Sequence, residues 1–171
     1  MVEQNLSIAA VQTDLLWENP AANLLQLGEK IASIHKPVDL ILLPEMFATG
    51  FTMQPQLFAA KMNGQEVRWM QQWAKEKNAV LCGSLAMEEN GKYYNRLLWV
   101  QPSGEISTYD KRHLFSLSNE QEQYTAGEQR LIVEYKGWKI CPLICYDLRF
   151  PVWSRNTEQY DLLLYVANWP E

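Results

Sequence analysis

The stretch Val38-Asp39-Leu40-Ile41-Leu42-Leu43-Pro44-Glu45 decides how this chain folds. It is a near-continuous apolar run without alternation, the pattern of a strand covered on both faces. Segments of two kinds alternate around it, which argues for an α/β domain. Upstream, residues 6–12 form a short, mostly apolar first strand. Asn19-Pro20 then opens a helix, with Asn as the cap and Pro at the first helical position. Leu24, Leu27, Ile31 and Ile34 follow at spacings of three and four, which places them on one buried stripe. Lys36-Pro37 is expected to end that helix, because proline cannot continue it. Downstream, a second helix is predicted over 64–77, with Val67, Met70, Trp73 and Ala74 inward, and a second buried strand over 79–85. Asn90-Gly91 reads as a type I′ hairpin turn leading into the run 93–100. Further strands are expected at 106–109, 131–135, 138–145 and 162–167. No repeat, low-complexity tract or linker interrupts the pattern, so residues 1–171 read as a single domain.

Composition narrows the function. The chain has 171 residues, and 47% of them are apolar, enough for a buried core. Fifteen Lys and Arg against 20 Asp and Glu give a net charge of −5, which argues against nucleic acid as a partner. The longest apolar runs, such as 40–44 and 162–167, fall far short of the roughly 20 residues that cross a bilayer, so no membrane partner is expected. The first residues carry no basic patch followed by an apolar segment, so they do not read as a secretory signal. Three cysteines (Cys82, Cys141 and Cys145) are too few and too unevenly placed for a disulfide framework, and a reducing cytoplasm is the simpler setting.

Three reactive residues share one placement, at or just after the end of a strand-like run: Glu45, Lys111 and Cys145. In open α/β sheets ligands gather outside the carboxyl ends of strands, so the three could converge. Each has a plain alternative. Cys82 and Cys141 lie within strands and fit buried core thiols, and from position alone Cys145 could be a third. Cys145 differs in preceding the polar residues Tyr146, Asp147 and Arg149. A free thiol is mostly protonated at neutral pH, so a nucleophilic role needs a base or a cationic neighbour. Glu45 and His113 are the candidate bases, whereas His35 sits at a helix end and is expected to face solvent. Glu45 is surrounded by Pro44, Met46 and Phe47, and a carboxylate buried without a role is costly. Lys111 is either a surface lysine of the charged loop Asp110-Lys-Arg-His or an ammonium that stabilises a developing oxyanion. Cys141-x-x-x-Cys145 has no second ligand pair for zinc and one residue too many for a thioredoxin-type redox pair. Neither a phosphate-cradling glycine loop nor a Gly-x-Ser-x-Gly elbow is present.

Taken in order, Leu43-Pro-Glu-Met-Phe47, Tyr109-Asp-Lys-Arg-His-Leu-Phe115 and Ile144-Cys-Tyr-Asp-Leu-Arg-Phe-Pro151 resemble the carbon–nitrogen hydrolase (nitrilase) superfamily. Thr49-Gly-Phe51, Pro151-Val-Trp-Ser-Arg155 and Tyr165-Val-Ala-Asn-Trp-Pro170 look most like its omega-amidase branch. The resemblance implies part of a four-layer α-β-β-α sandwich with C-terminal elements missing, residues 1–171 being the N-terminal portion of the family domain. It implies a Glu–Lys–Cys triad on Glu45, Lys111 and Cys145, with a second glutamate supporting the lysine. Counting back from Gly127, Glu120 matches that position better than Glu122. Tyr146, Arg149, Phe115 and Trp169 are candidate substrate-binding residues. Arg149 could instead form an ion pair with Asp147, and the aromatic three could simply pack the core. The implied reaction is hydrolysis of the terminal amide of small 2-oxo dicarboxylic acid monoamides such as 2-oxoglutaramate, through a cysteine thioester and with no metal or organic cofactor. Cleavage of another C–N bond and a catalytically silent assembly module are the alternatives. Family members are commonly homodimers or larger.

Overall fold

The computed structural model describes residues 5–169. The apolar run 38–45 contributes strand β2 (Leu40–Leu42), preceded by β1 (Ile8–Ala10) and helix α1 (Pro20–Ala32). Leu40 and Ile41 are both fully buried, but they enter different clusters. Ile41 packs with Leu24, Leu27 and Ile31 of α1 on one face of the sheet. Leu40 packs on the other face with a second sheet. The strand is covered on both sides, as its unbroken apolar pattern requires.

After β2 come α2 (Pro55–Phe58), α3 (Gln65–Lys77), β3 (Val80–Glu89), β4 (Lys92–Val100) and β5 (Ile106–Asp110). The first sheet has the order β1-β2-β3-β4-β5. β1, β2 and β3 run parallel, and β3, β4 and β5 are joined antiparallel. The parallel pairs need the crossover helices α1 and α3, whereas β3 and β4 meet through a tight turn. Asn90 (φ 53°) and Gly91 (φ 75°) both take the left-handed conformation that a type I′ turn demands. The second sheet contains β6 (Val133–Tyr135), β7 (Trp138–Ile144) and β8 (Leu162–Val166), with α4 (Glu120–Gln123) between β5 and β6. Val80, Cys82, Leu97 and Trp99 of the first sheet meet Ile140, Leu143, Leu164 and Val166 of the second. Among the described residues the layers are therefore helix, sheet, sheet. None of the described helices is long and apolar enough to cross a membrane.

Several boundaries differ from the sequence reading, each for a local reason. α1 stops at Ala32 rather than at Lys36-Pro37. Ser33 turns its hydroxyl onto the Lys30 carbonyl, and Lys77 of α3 reaches across to the carbonyls of Ala32 and Ile34 at 3.0 and 3.1 Å. A cation at a helix C-terminus also suits its dipole. Ile34 thus lies beyond the helix, though it still packs against the core. β3 runs four residues past position 85, because its outer half pairs with β4 rather than with β2. In α3, Val67, Met70 and Ala74 are buried, while Trp73 is half-buried beside Gly28 of α1. The four-residue helices α2 and α4 are too short to leave a periodic trace in the sequence.

The end of β5 is held by a close backbone approach. The Gly127 N–H donates to the Lys111 carbonyl at 2.9 Å, and a Cβ on Gly127 would stand 2.1 Å from the Asp110 carbonyl oxygen. Gly127→Ala must push the 110–111 backbone away, and we expect a loss of about 1–3 kcal/mol. Urea unfolding of the variant against the wild type measures it.

Candidate active site

Glu45, Lys111 and Cys145 stand just beyond the ends of β2, β5 and β7, and all three line one cavity of about 370 Å³. Each is placed by backbone contacts. Residues after β2 are tied to β3: Leu43 N–H donates to the Cys82 carbonyl at 2.7 Å, Phe47 N–H to the Ser84 carbonyl at 3.1 Å, and Met46 N–H to the Ser84 hydroxyl at 2.9 Å. Lys111 is fixed by its N–H on the Asn95 carbonyl at 2.9 Å. Cys145 opens a short 3₁₀ turn (Cys145–Arg149) with φ of +40°, a left-handed conformation unusual for a residue with a side chain. Such strain persists only where the surroundings over-determine it.

The lysine is wholly buried between two wholly buried carboxylates. Its Nζ lies 2.8 Å from Glu45 Oε1 and 2.9 Å from Glu120 Oε2. Asn95 Nδ2 donates to the same two acids, at 2.8 Å to Glu45 and 3.2 Å to Glu120. Glu120 also accepts the Phe115 N–H, while Glu122 on the same short helix is exposed. Of the two glutamates, it is Glu120 that meets the lysine. Burial opposes the charge on Lys111, but Glu45 and Glu120 outweigh it and hold the lysine above its ordinary pKa. Glu120 is raised, mainly by burial against the pull of Lys111.

The Cys145 thiol is pushed up to about 12, first by burial and then by the Glu45 charge, with Lys111 and the Asn168 N–H pulling the other way. At rest the sulfur keeps its proton beside a carboxylate that can accept it and an ammonium that can steady negative charge. Cys82 and Cys141 are fully buried core thiols, the latter raised to about 11 by burial.

The remaining candidates divide. Phe115 and Trp169 line the cavity together with Trp17 and Phe51, two aromatic residues that sequence reasoning missed. Tyr146 sits behind Phe115, with ring centroids 5.0 Å apart. Arg149 is exposed and outside the cavity lining, and it makes no ion pair with Asp147, which is occupied by Tyr109 and His113. The 3₁₀ turn carries the Arg149 side chain outward, four residues past the cysteine. His113 does not line the cavity that holds Cys145; its ring is stacked on Phe150 at 3.8 Å and its Nδ1 meets Asp147. Asn95 was also missed, and its only trace is a polar Asn-Arg pair inside the run 93–100. Among the described residues, no group of three or more His, Cys, Asp and Glu side chains could hold a metal ion.

These buried groups have a consequence at high pH. Lys111, Tyr109 and Tyr124 are all raised above their ordinary values of 10.5, 10.0 and 10.0. The buried thiols are raised too, from an ordinary value of 9.0. As pH rises past these ordinary values the unfolded chain releases protons that the folded chain retains, so stability is full below about pH 8 and is lost first through the cysteines and then through the tyrosines and the lysine. Thermal melts from pH 7 to 11 should show a midpoint that begins to fall at about pH 9 and falls more steeply beyond about pH 10. Glu120→Leu, which strips Lys111 of one partner, is expected to lower stability by about 3–5 kcal/mol at neutral pH.

Comparison with known proteins agrees with this geometry. Residues 7–170 match the carbon-nitrogen hydrolase family model. The chain is 47% identical over 167 residues to the omega-amidase YafV of Escherichia coli strain K12, covering 96% of this chain and 64% of that protein. It is 31% identical over 169 residues to the 2-oxoglutaramate amidase of Bacillus subtilis, covering 96% and 65%. It thus spans just under two thirds of these relatives. A crystal structure of XC1258 from Xanthomonas campestris, a CN-hydrolase superfamily protein with an arsenic adduct in its active site, superposes with a TM-score of 0.94 at 41% identity, over 98% of this chain and 66% of that one. With strand ends, a buried Glu–Lys pair and a neighbouring cysteine arranged in this way, and a family match over nearly its whole length, the chain belongs to the carbon-nitrogen hydrolase family.

Proposed function

We propose that this chain carries the reactive centre of a thiol amidohydrolase of the omega-amidase type. Its substrates are small 2-oxo dicarboxylic acid monoamides such as 2-oxoglutaramate, released as acid and ammonia. The observation that carries the reading is the fully buried Lys111–Glu45 pair at 2.8 Å on the wall of the cavity that also exposes Cys145. The likeness to the E. coli and B. subtilis enzymes supports the substrate class. We read residues 1–171 as part of one carbon–nitrogen hydrolase domain. Three free cysteines fit a reducing cytoplasm. A homodimer or larger assembly follows from the family resemblance.

In this mechanism Glu45, Lys111 and Cys145 are the catalytic residues. Glu45 takes the thiol proton as the Cys145 sulfur attacks the amide carbon, a step that a thiol raised to about 12 cannot make without a base. The oxyanion is held by the Lys111 ammonium and the Tyr146 backbone N–H. Collapse of the intermediate breaks the C–N bond, and the leaving nitrogen takes the proton from Glu45 and departs as ammonia. A thioester remains on Cys145. Glu45 then takes a proton from water, the hydroxide adds to the thioester carbon, and collapse frees the acid and returns the proton to sulfur. Splitting the hydrolysis this way replaces one difficult step by two easier ones. Glu120 keeps Lys111 charged and oriented, and Phe115 and Trp169 enclose the acyl chain.

Cys145→Ala is expected to abolish ammonia release from 2-oxoglutaramate while leaving the circular dichroism spectrum unchanged. Intact-mass spectrometry of the wild type should trap an acyl adduct on Cys145. Ammonia release by the alanine variant would refute the assignment. Turnover of a nitrile or carbamoyl compound in preference to the amide would move the substrate to another C–N bond. A wild-type chain that forms no adduct at high concentration would mark a catalytically silent module.

A further inference from the structure

Asp147 lies outside the cavity lining, yet it is fully buried and its carboxylate collects four hydrogen bonds. Oδ1 accepts the His113 backbone N–H at 2.9 Å and meets His113 Nδ1 at 2.8 Å. Oδ2 accepts the Tyr109 hydroxyl at 2.7 Å and the Ile144 N–H at 3.2 Å. The partners are informative. Tyr109 and His113 flank Lys111 by two residues on either side, and Ile144 immediately precedes Cys145. The first pair belongs to the β5 end of one sheet, the last to the β7 end of the other.

We propose that Asp147 is a positioning residue that sets the separation of the Lys111 ammonium and the Cys145 sulfur by tying the two strand ends to one buried carboxylate. The proposal rests on the reading of Cys145 as the nucleophile. Two features make this carboxylate more than a turn anchor. The Cys145 backbone is in the left-handed region at φ +40°, which needs outside support, and the Ile144 N–H bond supplies it one residue away. The Tyr109 hydroxyl is itself locked by the Trp153 Nε1–H at 3.0 Å and the Arg112 N–H at 3.2 Å, so it has one direction left in which to donate. The His113 ring is fixed in turn by its stack on Phe150, which closes the 3₁₀ turn. A reacting pair held this way tolerates little slack, since a shift near 1 Å costs on the order of 100-fold in rate.

Asp147→Asn tests the assignment. Asparagine matches the volume but has one acceptor oxygen, so its NH₂ must face the backbone N–H of either His113 or Ile144. With the full chain, we expect kcat for the amide to fall by about 10- to 100-fold with KM little changed. Alkylation of Cys145 by iodoacetamide, read by peptide mass across pH, should also change. Its rate at a given pH should fall, because Lys111 favours the thiolate and a loosened strand end draws the ammonium away from the sulfur. Tyr109→Phe, which keeps the ring and removes one bond to Asp147, should shift both readouts in the same directions by less, and it decides the matter if Asp147→Asn does not fold. A folded Asp147→Asn variant, or failing that a folded Tyr109→Phe variant, with wild-type kcat and alkylation profile would overturn the proposal. Alkylation needs no amide substrate. A wild type without amidase activity whose Cys145 profile still responds to Asp147 would therefore sink the proposed function and leave this inference standing.

Discussion

A lysine ammonium with no solvent exposure, clasped by Glu45 at 2.8 Å and Glu120 at 2.9 Å, is the constraint on which the rest of this structure depends. Removing three charges from water costs several kcal/mol per ion unless the geometry returns it. Here the return comes from short contacts and from Asn95, which donates to both acids. Those four side chains come from the end of β2, the middle of β4, the end of β5 and a four-residue helix, so the arrangement exists only when the first sheet is assembled in register. Pairing of Arg96 with Asp110 and of Leu97 with Tyr109 across β4 and β5 is what brings Asn95 level with Lys111.

The cysteine is delivered from the other sheet. β7 ends at Ile144, and its apolar residues pack against Leu40, Val80 and Trp99 of the first sheet. Contact between the two sheets therefore does more than bury apolar surface, because it brings a sulfur on one sheet to a carboxylate and an ammonium on the other. A hydrophobic interface is not directional, so polar links must refine the alignment. Asp147, with partners on both strand ends, is one such link.

Much of this was legible along the chain. The two-sided burial of β2, the cap at Asn19, the turn at Asn90-Gly91 and the placement of Glu45, Lys111 and Cys145 at strand ends all follow from short-range pattern. The failures share a cause. Helix α1 ends early because a lysine 45 residues away reaches its last carbonyls. Asn95 passed without notice inside the run 93–100, and its purpose appears only when Glu45 and Glu120 stand beside it. Arg149 was a candidate substrate ligand and His113 a candidate base, and the turn after Cys145 and the end of β5 leave both outside the cavity lining.

The sequence by itself determined the α/β layering, the strands whose ends carry reactive groups, and the family. These rest on periodicity, caps and motif order, which are local and therefore readable. Tertiary structure alone decided that Glu120 rather than Glu122 meets the lysine, that Trp17 and Phe51 join Phe115 and Trp169 around the cavity, and that Asp147 bridges two sheets. Those outcomes depend on distances between residues tens of positions apart, and such distances are set by sheet register and packing, which no single segment contains.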